Sequence, residues 1–280
     1  MLFTAPRRKR VGRRATSGSE GVWLGNTLGL ESDWATATNW SLGTVPATNA
    51  DIAAFLATGS ATVNLAAPQT VQVIGFDATA QPYTFTGAAL TIDNNQSISS
   101  EGVVATSGAG AINFQNPILF TNSNTSGGGY VRLGTRANVT MSGGVTIVKD
   151  VQFNDNPANA AGPGGALRIQ GGHLDLQATL LVREHAIVTL NPATVSGSGQ
   201  IRDTDNNSRI NIENSLPGYG GSLLIGTSGS TSHNGKIFLT AEGINMASGL
   251  IWNAGGASGT NTPDQTYGVA ARNLLLAGGS

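Results

Sequence analysis

The chain has 280 residues, a formal net charge of -1, 11% charged side chains, 6% aromatics, 39 glycines and no cysteine. That length can bury a sizeable core, and the low net charge with regularly spaced apolar residues excludes an intrinsically disordered chain. The missing cysteines exclude disulfides, thiolate metal sites and thiol nucleophiles, and no apolar run approaches the ~18 residues of a membrane-spanning helix.

The first element in chain order is basic. Six of the 15 Lys and Arg residues are Arg7, Arg8, Lys9, Arg10, Arg13 and Arg14, and residues 1–20 read as a basic, disordered tail. The polar stretch ATSGSEGVW follows where a secretion signal would need an apolar core, so the tail is not a signal peptide. Beyond Arg14 the body carries 9 basic against 16 acidic residues. A body of that sign lacks the basic face of a nucleic-acid binder.

Residues 21–60 have a different texture. Trp23, Trp34 and Trp40 are three of the four tryptophans, and bulky aromatics at one end of a repetitive sheet stack suit a cap that closes the apolar interior.

From residue 61 to 280 the pattern becomes apolar-x-apolar doublets, and helical periodicity is absent. Leu90/Ile92, Ile112/Phe114, Val139/Met141, Val145/Ile147, Leu167/Ile169, Leu174/Leu176, Leu180/Val182 and Val188/Leu190 are examples. From Leu167 the doublets return after 7, 6 and 8 residues. Three such beats match one coil of a three-faced parallel β-helix of about 20–22 residues, with Gly, Asn and Asp at the corners. An antiparallel sandwich would place longer strands at wider intervals. The expected fold class is therefore all-β, a parallel β-helix with an aromatic-rich N-terminal cap. The final ARNLLLAGGS carries no polar cap, so the solenoid is expected to continue in a longer parent chain.

Trp23, the pair Asn39-Trp40, Gly43, Pro46, Asp51 and Phe55 form a W...NW..G..P....D...F pattern, followed by QTV...FD......YTFTG..LTID between Gln69 and Asp93. Over residues 22–100 this resembles autotransporter-associated β-strand repeat proteins. The resemblance implies a right-handed parallel β-helix passenger, exported and displayed at a bacterial cell surface, with membrane attachment only through a translocator or anchor outside this chain. It implies no catalytic motif.

Two constellations were weighed as sites. In LRIQGGHLDL, His173 and Asp175 share one strand face, opposite Leu174 and Leu176, which makes them solvent-facing positions on an ordinary strand. With the coil as a ruler, Arg183 stacks near Arg202 and Glu184 near Asp203, with His185 and Asp205 alongside. Glu184, Asp203 and Asp205 are thus the candidate carboxylates for glycan hydrolysis or Ca²⁺ ligation, against a plain ladder of surface charges. The Asp203–Asn214 segment departs from a calcium loop at Ser208 and Asn214, so no metal or cofactor is expected.

The expected function is a non-enzymatic, adhesive, surface-displayed segment whose partners are glycans or sister molecules, with no nucleic acid among them. A polysaccharide-degrading enzyme with those carboxylates is the first alternative. The second is a carbohydrate-binding module using Trp23, Trp34 and Trp40 as exposed stacking platforms.

Overall fold

The computed structural model describes residues 20–95, 100–106, 108–124, 131–135, 137–154, 165–183, 186–203, 209–213, 216, 219, 222–225, 236–239, 243–246 and 273–276. The chain is all-β apart from one short 3-10 turn, Ala37–Asn39. Every pairing between its named strands is parallel, so all inward side chains belong to a few continuous stacks.

The strands fall into three rows. The first is β1 (Glu20–Val22), β2 (Ile52–Phe55), β5 (Val73–Phe76), β8 (Ser100–Ala105), β11 (Val131–Thr135), β14 (Val151–Asn154), β16 (Leu180–Arg183), β18 (Gln200–Asp203) and β20 (Ser222–Ile225). The second is β3 (Thr62–Leu65), β6 (Tyr83–Gly87), β9 (Ile112–Phe114), β12 (Asn138–Met141), β15 (Ala166–Leu176), β17 (Ile187–Ser196), β19 (Arg209–Ile212) and β21 (Lys236–Leu239). The third is β4 (Gln69–Val71), β7 (Leu90–Asp93), β10 (Ile118–Thr121) and β13 (Val145–Ile147), which meets the second row on β15. β22 (Gly243–Met246) and β23 (Asn273–Leu276) form a separate pair.

The long β15 differs from the expectation that Leu167/Ile169 and Leu174/Leu176 lie on separate strands. Its first half pairs β12 and its second half pairs β13. Gly171 and Gly172, at φ +66 and +21, let the backbone bend between the halves without interrupting the strand. The 12-stranded sheet turns back on itself at this point.

The return length also departs from a uniform 20–22 residues. Ile52 pairs Val73, Leu167 pairs Val188 and Leu180 pairs Ile201, which are short returns. Ile74 instead pairs Val103, Val139 pairs Leu167 and Val145 pairs Leu174, returns longer by about one corner loop. The extra residues sit between strands, and the apolar register is kept.

That register defines the core. Val63, Phe85, Phe114, Met141, Ile169 and Leu190 are all buried, as are Leu90, Ile118, Val145, Leu174 and Val195. Phe55 occupies the hub of the N-terminal end. Its ring lies 5.1 to 6.2 Å from those of Trp23, Trp34, Trp40, Phe76, Tyr83 and Phe85. Edge-to-face geometry dominates this cluster, the arrangement that ring quadrupoles favour.

Candidate functional site

Each polar residue of the N-terminal motif has structural work. Trp34 Nε1 donates to the Pro46 carbonyl at 3.0 Å, Trp40 Nε1 to the Trp34 carbonyl at 2.8 Å and Trp23 Nε1 to the Ser60 carbonyl at 3.0 Å. The buried Asn39 amide donates to the carbonyls of Leu30 and Asp33, while its oxygen accepts from Thr27 N. Asp51 Oδ2 accepts from the backbone N–H of Ala47 and Thr48 and from the Thr48 hydroxyl. All three Trp rings are buried to within 1% exposure. Their faces are therefore packed, and they offer no platform for a sugar, which corrects the second alternative.

The cap reaches further than its sequence span suggests. Asn49 Nδ2 donates to Asp93 Oδ2 at 3.1 Å and to Ser123 Oγ at 3.0 Å, bridging a corner where two later passes of the chain turn. Asp93 Oδ1 also accepts from the N–H of Asn95 and Ser123. Beneath it the buried Gln72 donates to the Asn94 carbonyl, so the Asn-rich corner is stitched by amides.

The carboxylate candidates do not line up as expected. Short returns here measure 21 residues, because Leu180 stacks on Ile201 in the core, so Arg202 pairs Leu181 and Asp203 pairs Val182. The 19-residue ruler that put Glu184 beside Asp203 and Arg183 beside Arg202 is corrected by two positions. Glu184, His185 and Asp205 lie outside the described residues, as does the Asp203 side chain, and so do Ser208 and Asn214. Among the described residues no group of three or more His, Cys, Asp or Glu could hold a metal ion.

His173 and Asp175 are better defined. Leu174 and Leu176 fill the core and His173 is exposed, as the alternation requires. On the next strand, β17, Thr194 pairs His173 and Ser196 pairs Asp175. His173 Nδ1 is 2.7 Å from Thr194 Oγ1 and Nε2 is 2.8 Å from Ser196 Oγ. Ser196 Oγ donates to Asp175 Oδ1 at 2.9 Å, and Gln177 Nε2 donates to Asp175 Oδ2 at 2.6 Å. The hydroxyl proton of Ser196 is committed to the carboxylate, so the imidazole donates to Ser196 and cannot take its proton. A nucleophilic triad needs the opposite order, with the imidazole between serine and carboxylate. The cluster is a recognition surface of polar groups, with no activated nucleophile.

Thr194, Ser196 and Gln177 were not singled out in the sequence. A 21-residue ruler laid from His173 and Asp175 lands on the two hydroxyls, and that is the signal that finds them. Along the same outer face, Arg168 holds Glu213 through both terminal nitrogens, at 3.3 and 2.6 Å, while its Nε donates to Gln170. No family model matches this chain, and neither a curated protein nor a solved structure matches it.

Proposed function

We propose that this chain is a non-enzymatic, adhesive segment of a bacterial secreted or surface-displayed passenger, built as a right-handed parallel β-helix with an aromatic N-terminal cap. The observation that carries the reading is the pair of outward columns on the second and third rows. Thr62, Thr84, Asn113, Thr140, Arg168, Thr189 and Asn211 pair in succession, as do Thr70, Thr91, Leu119, Thr146, Asp175 and Ser196. Strand spacing repeats these side chains every ~4.8 Å.

Short hydroxyl and amide groups on a stiff sheet lose little rotamer entropy when they bind. Their individual contacts are weak, and repetition makes them useful through multivalency. Three parallel rows closing on one core support the helical architecture, and the N-terminal motif that resembles autotransporter-associated repeats supplies its cap. Glycans or sister molecules are the partners this face suits.

The test is retention of chain-coated beads on glycan surfaces and on bacterial cells, beside beads carrying an unrelated β-helix. Retention above that control supports the adhesive role. Retention equal to it on every surface removes the role.

A further inference from the structure

We infer that His173, Asp175 and Gln177 form a subsite for a neutral pyranose on the outer face of β15. The inference rests on the adhesive reading above and names where a sugar ring would sit.

The argument begins with the orientation of the imidazole. Both ring nitrogens engage side-chain oxygens of the adjacent strand, Thr194 Oγ1 at 2.7 Å and Ser196 Oγ at 2.8 Å. Those oxygens project from alternate outward positions of β17 and stand at about the height of the His173 Cβ above the sheet. A plane through the ring and both oxygens therefore runs parallel to the sheet. The imidazole lies flat, its edge is satisfied, and one face points to solvent.

Its surroundings keep that face open. On the upstream side the position beside His173 is Gly144, which precedes the Val145–Leu174 pair and has no side chain to lean over the ring. His173 is exposed accordingly, while its neighbour Leu174 is fully buried. A flat ring held at its edges and open on one face receives the C–H face of a pyranose, because the negative face of a π system attracts the positive C–H edges.

The polar rim supplies direction. Each Asp175 oxygen accepts one hydrogen bond within the cluster, from Ser196 and from Gln177, and retains acceptor capacity for a sugar hydroxyl. Gln177 is exposed and adds an amide oxygen. The carboxylate has acceptors only, so it favours hydroxyl donors and repels a carboxylate or sulfate on the ligand. A neutral hexose or N-acetylhexosamine fits this rim and a uronate does not.

The experiment titrates the full chain with methyl glucoside, methyl galactoside, methyl N-acetylglucosaminide and methyl glucuronide, following the His173 ring signals by NMR. A parallel assay measures retention of the same chain on glycan surfaces. A saturating shift of His173 with at least one neutral glycoside is expected, with none from the glucuronide. His173→Ala should weaken that binding at least about tenfold, a single-platform effect, without moving the thermal midpoint by more than a few degrees. Asp175→Asn should admit the glucuronide.

If the chain is retained on glycans while His173 remains unmoved by every glycoside, the subsite is wrong and the adhesive role stands. If the glucuronide binds as well as the neutral sugars, the assigned role of Asp175 is wrong. If the chain is retained on no surface and no glycoside shifts His173, both readings fall. His173 shifts without surface retention leave the subsite standing and remove the adhesive role.

Discussion

Arg168 grips Glu213 across an intervening strand: the arginine is on β15, the glutamate follows β19, and β17 runs between them. The side chains are 37% and 35% exposed, so water screens the pair despite its short contact. Removing it through Arg168→Ala, Glu213→Ala and the double variant should yield a coupling energy of about 0.2–1 kcal/mol, shrinking at high salt. A coupling of several kcal/mol in a denaturant-melt cycle would contradict the screened picture.

Phe55 touches six other aromatic rings and is fully buried. Phe55→Ala should cost about 3–5 kcal/mol, by lost transfer and by the cavity left behind. Phe153→Ala, at another fully buried site with no ring contact to this cluster, provides the comparison. Equal losses in urea melts would show that the ring cluster adds nothing beyond ordinary burial.

Buried tryptophans also have an optical consequence. In a Trp252→Phe background, which leaves Trp23, Trp34 and Trp40, emission should be blue-shifted and resist acrylamide quenching. Quenching at the rate of free indole would place those rings in water and revive a stacking role for them.

Gly43 and Gly87 both adopt positive φ, +62 and +89, but their surroundings differ. A Cβ on Gly43 meets nothing within 4 Å, whereas one on Gly87 overlaps the Leu65 carbonyl oxygen. Gly43→Ala should cost about 1–2 kcal/mol, the left-handed penalty alone. Gly87→Ala should cost clearly more, since the β3–β6 pairing must give way. Similar thermal shifts for the two would remove the steric component.

Tyr219 is fully buried and donates its hydroxyl to the Gly199 carbonyl at 2.8 Å, and burial holds its phenol well above the usual value. Tyr83 moves in the same direction, again chiefly through burial. The folded state keeps these protons where the unfolded chain has lost them. Their stabilisation is therefore complete below about pH 10 and declines as pH rises beyond it. Tyr219→Phe should flatten the alkaline limb of a plot of urea midpoint against pH, and an unchanged slope would assign that limb to other groups.

Much of this arrangement was legible in the residues. The doublets Leu90/Ile92, Ile112/Phe114 and Val188/Leu190 are buried, because alternation on a strand with one wet face leaves no other choice. The aromatic cap was visible in Trp23, Trp34 and Trp40 for the same reason. Two features were not. Gly171-Gly172 looked like a break between strands, since glycine marks turns and bends alike. The pairing of Asp203 with Val182 depends on a return of 21 residues, and a two-residue error in the ruler changes every outward neighbour. The Asn49–Asp93–Ser123 contacts were invisible because no local pattern records a bond between residues 44 and 74 positions apart.

Those last contacts set an order of events. The loop around Asn49 leaves any exit early and then has nothing to hold until the corners at Asp93 and Ser123 have formed. Closing the larger of these loops costs more chain entropy than a neighbouring-strand contact, although the increase is only logarithmic in length. A chain threaded amino end first thus carries an unfinished cap through its next two turns, and the segment made first is locked last. Anything that must keep the chain slack during passage has that interval in which to act.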